Sequence, residues 1–475
     1  MATANSSVKN NLAMFQTSRG ATFRANPVRL NRHAAVLELY NPEGVLQTSE
    51  VLTEFKLIFN DRTVYSGRAV VRSLVNTGLV TVCEATLEDS WLDLDFSSGP
   101  NLAVSLNAQF NDFIREWQKL YRVMPEYKVV LADLQTFLTE VRLWLEQVEL
   151  GIRSSPSGDR AKIEEETVYS LQESIVPAIA GLFERYEVVA QRVEEELQPA
   201  HHAFGKRQLH PLLLCSPFVF RTFEKPLGYA GDYEMVNMMF RQPYEGASLF
   251  AKMVNAYALQ LPPIIAHRNR IIYLFEQLVQ ETVRISTLNR PARVFNLGCG
   301  PAHEIQKFLA RDSLADRASL TLADFNDETL AHTDGVLGSL KRRYGRTTPI
   351  KLVKQSVQQI LKQADRVVHQ PPANQYDFIY CAGLFDYLSD KVCRRLMDVF
   401  YQMLAPGGLL VATNVDVHPA RGEMECFLEW HLVHRNTRQI LALAPAGAAS
   451  DDVVVKREAT GVNLFMEVRK SNGEK

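Results

Sequence analysis

Long apolar runs are missing from these 475 residues: no stretch approaches the ~18 uninterrupted apolar residues of a membrane span. The opening segment MATANSSVKNNLAMFQTSRG lacks the apolar centre of a secretory signal. Cysteine is scarce, and the six residues Cys83, Cys215, Cys299, Cys381, Cys393 and Cys426 form no C-x-x-C pair. That scatter argues against a zinc ribbon or a disulfide framework and fits a reducing compartment. Charge of one sign is not in excess, since Lys+Arg 52 against Asp+Glu 54 leaves a net of -2. General binders of nucleic acid or anionic membrane are usually basic, so neither is expected as a partner. The expectation is a soluble cytoplasmic protein with no integral membrane contact.

What is present is ordinary globular material, 46% hydrophobic and 22% charged. The length suits roughly two to four cores, and the pattern of periods divides the chain at about 1–100, 101–215 and 216–475. From Ala21 to Glu88 apolar residues alternate in ATFRANPVRL, AAVLELY, EFKLIF, GRAVVRSLV and LVTVCEATL. Turn signals separate these runs at Asn41-Pro42-Glu43-Gly44, Asn60-Asp61-Arg62 and Asn76-Thr77-Gly78, which predicts a small β-barrel or sandwich. Phe96-Ser97-Ser98-Gly99-Pro100 reads as a linker. The next part changes to helical spacing and predicts a hairpin or bundle. Ser157 or Asp159 is placed to cap a helix running from Ala161 towards Leu197, with Pro177 expected to kink or split it. The Glu164–Glu166 and Glu194–Glu196 runs read as solvated faces, and His201, His202 and His210 as a surface loop without metal-ligand spacing.

From about Val283 the runs ARVFNLGCG, LTLADF, IKLVKQ, YDFIYCAG and GLLVATNV alternate with helical patterns. Such alternation predicts a doubly wound parallel sheet. The terminal VVVKREATGVNLFMEVRK adds an antiparallel hairpin near Thr460-Gly461. The fold class expected is therefore multidomain: an N-terminal β-barrel, a central α-helical region and a C-terminal α/β Rossmann-like domain with a seven-stranded sheet. The chemistry concentrates at Asn296-Leu297-Gly298-Cys299-Gly300-Pro301-Ala302, where a first strand turns into a helix. Glycines there let a ligand approach the backbone closely. About two dozen residues on, a second strand ends in Asp324, whose carboxylate suits ribose hydroxyls. The full G-x-G-x-x-G of a dinucleotide site is absent, which counts against a nicotinamide enzyme. A Rossmann domain that has lost its ligand is the plainer alternative.

This succession resembles the class I S-adenosylmethionine-dependent methyltransferases over roughly the last 190 residues. The resemblance implies S-adenosyl-L-methionine as cofactor, held by Asn296, Gly298, Cys299, Gly300, Asp324, Phe325, Ser356, Gly383 and Leu384. Asn296 stands where the pattern usually carries an acid, and Ala302 where a third glycine is common. Upstream, Lys225-Pro226-Leu227-Gly228-Tyr229-Ala230-Gly231-Asp232-Tyr233-Glu234-Met235-Val236-Asn237 is dense in glycine and aromatics and reads as a loop over a pocket or as a connector. With LGCGPAHEIQKFL, IYCAGLFDYLSD and EWHLVHR, it is similar to the bacterial family of extracellular factor 3-hydroxypalmitic acid methyl ester biosynthesis proteins. That resemblance implies a methyl ester signal of the quorum-sensing kind, made from a small hydrophobic acid. It adds Gly231 and Asp232 to the cofactor set.

Methyl transfer mainly asks an enzyme to orient and desolvate the acceptor. A carboxylate is already ionised and needs no base, whereas an alcohol or amine does. His303 and His418 are the candidate bases, with structural histidines as the alternative. Arg435, near Trp430, is a candidate fork for an acidic acceptor or else a surface salt bridge, Tyr233 belongs to the closing segment, and Met235, Met238, Met239 and Phe240 suit an apolar channel or an ordinary core. The first 100 residues loosely resemble a PilZ barrel, a frequent cyclic di-GMP binder. Arg19, Arg24 and Arg29 are spaced unlike the binding arm, and Asn31-Arg32-His33-Ala34 lacks the serine and glycine, so a non-binding scaffold is expected. A homodimer through the helical region is a further expectation. The alternatives to a fatty-acid methyltransferase are one acting on another small molecule or a protein, and a non-catalytic sensor.

Overall fold

The structure is a computed structural model. It describes residues 11–18, 20–31, 33–40, 46–59, 62–76, 80–88, 107, 110, 111, 114, 115, 118, 123–154, 159–311, 313–366 and 375–471. The linker 96–100, the turns at 41–44 and 77–78, Arg19 and Arg32 therefore lie outside the described residues. The chain divides into two compact units. One comprises Met1–Ala230, Tyr244–Tyr257 and Ala420–His431; the other comprises Gly231–Pro243, Ala258–Pro419 and Leu432–Lys475.

In the first unit the alternating runs become β1 (Asn11–Gln16), β2 (Thr22–Asn31), β3 (Ala34–Tyr40), β4 (Val51–Phe59), β5 (Arg62–Asn76) and β6 (Val80–Leu87). They close into a barrel of order β1-β2-β3-β6-β5-β4. Period-two alternation turns every second side chain inward, and Phe15, Leu37, Phe55, Leu57, Val71 and Cys83 fill the interior. The closing strand β1 lies before the Ala21 start expected from the sequence, and it pairs Leu12 with Ile58 on β4.

The helical part supplies α1 (Pro125–Ser154), α2 (Arg160–Ala190), α3 (Gln198–Leu213) and α4 (Pro217–Glu224). Asp159 caps α2 by accepting from the Lys162 amide at 3.1 Å. That helix runs unbroken through Pro177, so the expected split does not occur. Glu194, Glu195 and Glu196 are exposed. The histidines require a correction. His201, His202 and His210 lie on α3, because its apolar positions Leu209, Leu212 and Leu213 continue one buried stripe. His201 joins the Leu197 carbonyl to the Met124 amide, and burial pushes the pKa of His202 down to about 3.

Charged groups inside this unit have partners. Lys206 pairs with the buried Glu429, and Lys225 donates to the Leu428 carbonyl at 2.9 Å. Glu187 accepts from the Gly422 and Glu423 amides, and the Tyr257 hydroxyl lies against both Glu423 oxygens.

The second unit begins with α5 (Tyr233–Phe240), followed by α6 (Pro262–Ser286) and β7 (Ala292–Leu297). Next come α7 (His303–Arg311), β8 (Ala318–Asp324), α8 (Asp327–Tyr344), β9 (Ile350–Lys354), α9 (Val357–Arg366) and β10 (Tyr376–Cys381). The unit ends with α10 (Asp390–Met403), β11 (Leu404–Val415), α11 (Thr437–Leu441), β12 (Val453–Arg457) and β13 (Asn463–Arg469). The sheet order is β12-β13-β11-β10-β7-β8-β9. Strands β7 to β11 pair in parallel, and β13 runs antiparallel to β11, as the terminal hairpin predicted. Val294, Leu320, Leu322, Phe378 and Val411 join Phe308 and Leu337 from the covering helices in one core. The strand order reverses at the β7–β10 pair, so their carboxyl ends border a crevice, the usual ligand position in open α/β sheets.

Candidate active site

The loop after β7 is shaped by backbone conformation. Gly298, Gly300 and Ala302 all have left-handed φ values of 73°, 50° and 54°. A β-carbon disfavours that region, so two of the three positions are glycine. Added at Gly300, a Cβ would meet nothing within 4 Å; at Gly298 it would approach only Leu384, at 3.9 Å. Open space therefore faces the loop at Gly300. The loop is pinned from behind, because Gly298 N–H and Cys299 N–H both donate to the Ala323 carbonyl at 2.8 and 3.1 Å.

Asp324 ends β8 beside this loop and is 6% exposed. One carboxylate oxygen accepts from the Gly300 amide at 3.2 Å and the other from the Asn326 amide at 3.0 Å. The acid thus ties the glycine loop to the start of α8, which Asn326 caps. Thr333 on α8 donates to the Gly300 carbonyl at 2.7 Å. Phe325 is half-buried next to the acid, and half-buried Ser356 accepts from the Gln359 amide at the start of α9.

Past β10, Gly383 takes φ 78° and its N–H donates to Thr413 on β11 at 3.0 Å. A Cβ there would fall 2.8 to 3.1 Å from the guanidinium of Arg270 on α6. Arg270 is 6% exposed, its Nη2 lies 3.0 Å from both ring nitrogens of His267, and its Nε is buried without an acceptor. Burial, with the neighbouring Arg270 charge, pushes His267 well below its usual pKa and leaves the ring neutral. Glu304, buried on α7, accepts from the Tyr380 hydroxyl at 2.7 Å. Asn296 on β7 is 2% exposed, with its side-chain oxygen buried and unpartnered.

The expected closing segment divides. Lys225–Ala230 belongs to the first unit and Gly231 onwards to the second. Gly231 has φ 79°, and a Cβ there would sit 3.1 Å from the Tyr387 hydroxyl. Asp232 caps α5 through the Met235 amide at 2.7 Å, so Tyr233 opens a helix and is not in a loop. The Tyr233 hydroxyl donates to Glu328 at 2.7 Å, and its ring lies against His332. Phe240 packs on His303 with centroids 4.4 Å apart, and the Met239 carbonyl accepts from Arg268. Helix α5 therefore contacts α6, α7 and α8. Met235, Met238 and Met239 are buried there.

The three other candidates have different surroundings. His303 opens α7; burial, with His332 and Lys307 nearby, pushes its pKa down to about 4, and its Nε2 is buried and unpartnered. His418 is 4% exposed and packs edge-on against His434, after β11. Arg435 is 2% exposed, and its guanidinium donates to Asp390, Asn414 and the Phe385 and Leu388 carbonyls. Those donors fasten the segment after β10, while Trp430 belongs to the other unit. Sequence reasoning missed Arg270, His267, Glu304 and Tyr380. For Arg270 a signal existed, since Ala266, Arg270, Leu274 and Leu278 form one buried four-residue stripe on α6.

Residues 268–445 match the family model described as a methyltransferase domain. The matched segment holds every feature of the glycine loop, Asp324 and Gly383, and the chain thus carries an S-adenosylmethionine-dependent methyltransferase domain of the class I fold. None of the curated proteins matches the chain. Among solved structures, a possible exported protein from Bordetella parapertussis is 18% identical, covering 67% of this chain and 100% of its own at TM-score 0.41. Magnesium protoporphyrin IX methyltransferase from Synechocystis PCC 6803 with bound SAH is 9% identical, over 43% of this chain and 85% of its own, at TM-score 0.32. An N-methyltransferase from Bradyrhizobium japonicum WM9 in complex with S-adenosyl-L-homocysteine is 20% identical, over 42% and 87%, at TM-score 0.26. Among the described residues no helix is long and apolar enough to cross a membrane, and no group of acidic, histidine or cysteine side chains is arranged to hold a metal ion.

Proposed function

We propose that the protein O-methylates the carboxylate of a fatty or similarly hydrophobic acid. The observation that carries the reading is the left-handed, open loop Gly298–Ala302 bound to Asp324 across the β7–β8 strand ends. Gly298 and Gly300 would admit the methionine part, and Asp324 the ribose. S-adenosylmethionine supplies a sulfonium methyl, an electrophile that needs no further activation. The chain's own work is then to orient an acceptor and exclude water. With the cofactor bound, a carboxylate oxygen would form the new C–O bond as the C–S bond breaks and its electron pair stays on sulfur. No proton moves, so no base is required.

The polar groups around Gly383 suit that task better than base catalysis. His303 and His267 are both depressed in pKa and so are weak proton acceptors. In this reading residues 216–475 carry catalysis, the 101–215 region adds the helical support, and the 1–100 barrel is a PilZ-like scaffold. The methyl ester would serve as a signal, in line with the motif resemblance at 225–237 and 379–390. Incubating the full chain with methyl-labelled S-adenosylmethionine and long-chain 3-hydroxy acids tests this. Labelled methyl ester, identified by mass spectrometry, is the expected product; label on an amine or alcohol instead would overturn the acceptor class.

A further inference from the structure

We infer that Arg270, and not Arg435, receives the acceptor's carboxylate beside Gly383. The inference rests on the methyltransferase reading and names the binding residue for its substrate class. Arg435 has its guanidinium committed to Asp390, Asn414 and the Phe385 and Leu388 carbonyls. Arg270 is the reverse case. It is enclosed as deeply, yet its only hydrogen-bonding contact among the described residues is Nη2 to the His267 ring.

A guanidinium cannot escape burial by losing its proton, so its charge must be balanced by anions and its N–H groups by acceptors. Asp386 and Glu304 are near enough to act on it through the field, but neither makes an ion pair with it. Asp386 instead accepts from the Val415 amide, and Glu304 from Tyr380. The Nε donor is left buried with no acceptor. A planar carboxylate offers two oxygens at the spacing of a guanidinium fork and supplies both missing terms at once.

Position agrees with chemistry. The guanidinium lies against the Cα of Gly383, at the carboxyl end of β10, where only the lack of a side chain leaves it room. Neutral His267, with both ring nitrogens 3.0 Å from Nη2, holds it there without adding a second cation. The open face of the Gly298–Gly300 loop is on the neighbouring strand β7. An acid held by Arg270 would thus present its oxygen at the β7–β10 crevice, where the sulfonium methyl would lie.

The test pairs an acid with its neutral isostere. Dodecanoate and dodecanamide are compared as inhibitors of the wild-type chain, and S-adenosylhomocysteine binding is measured by calorimetry on wild type, Arg270→Gln and Arg270→Lys. The expected result is that dodecanoate inhibits the wild type about tenfold or more better than the amide, a preference lost in Arg270→Gln and partly kept in Arg270→Lys. S-adenosylhomocysteine affinity should stay within about twofold in both variants, which also reports that they are folded. Equal inhibition of the wild type by acid and amide would overturn the inference without any variant. Weakened S-adenosylhomocysteine binding in Arg270→Gln with the acid preference intact would also overturn it, assigning the arginine to the cofactor's own carboxylate. Failure of the wild type to bind S-adenosylhomocysteine would instead sink the methyltransferase reading itself.

Discussion

Two regions treat buried polar groups differently, the network around Glu429 and Glu187 in the first unit and the strand ends of the second, although Thr48 Oγ1 in the first unit is also unpartnered and the Arg435 guanidinium in the second is committed. In the first region, Lys206 meets Glu429, Lys225 meets a carbonyl, and Glu187 accepts two amides. At the strand ends of the second unit, Arg270 Nε, His303 Nε2 and the Asn296 side-chain oxygen are buried with no partner. A satisfied buried network holds a fold; unsatisfied donors and acceptors cost stability unless something else supplies the missing bonds. Their clustering around the β7–β10 crevice, and not merely their number, is what marks that end of the sheet as a site.

Breaking a satisfied pair should have the largest effect. Glu429→Ala removes the counter-charge of half-buried Lys206 and of buried Lys225 nearby, and the expected loss is about 3–5 kcal/mol in urea unfolding of the full chain. A loss below about 1 kcal/mol would place the pair among ordinary surface bridges. In the second unit the corresponding change should affect rate more than stability. Tyr233→Ala removes the hydroxyl bond to Glu328 and the ring against His332. If α5 excludes water from the site, turnover should fall about tenfold with little change in the unfolding midpoint. Unchanged turnover would make α5 a packing element only.

The legibility of these features differed for physical reasons. The sheet was readable because buried parallel strands leave apolar runs, and β7, β8, β10 and β11 lie where such runs stand; β9 also lies where a strand was expected, at IKLVKQ, but it is an edge strand with no fully buried residue. Strand β1 was not, because NLAMFQ is short and follows a polar stretch, and its pairing with β2 on one side and β4 on the other in the closed barrel secures it. The glycine loop was readable from glycine spacing, but not Ala302, whose left-handed φ has no residue-type signal. The histidines of α3 look polar in a sequence although burial and backbone partners keep them neutral. Arg435 and Arg270 look alike in one dimension; only three-dimensional hydrogen bonding separates a fastened guanidinium from one with an empty donor.

A smaller, pH-dependent effect sharpens the same contrast. Burial, against the Tyr257 hydroxyl bond and with Glu187 nearby, raises the Glu423 pKa to about 8 from an unfolded 4.5. The folded chain therefore holds a proton that the unfolded chain has released. The stability tied to it is fully present below about pH 4.5 and is lost as pH rises through about 8. Urea midpoints between pH 6 and 9 should fall less steeply in Glu423→Gln than in wild type; equal slopes would assign the proton elsewhere. The least effect is expected at the barrel. Arg29 forms an exposed ion pair with Glu196 at 3.8 Å, and adding cyclic di-GMP to the full chain should give no saturable signal at low micromolar concentration.

The central claim is that the open loop and its acid hold S-adenosylmethionine. Calorimetry of the full chain measures it directly, with wild type and Asp324→Ala side by side. The account predicts one-site binding by the wild type, weakened by about 1–3 kcal/mol in the variant through loss of hydrogen bonds to a charged group. No heat of binding in the wild type, or equal affinity in Asp324→Ala, would contradict it.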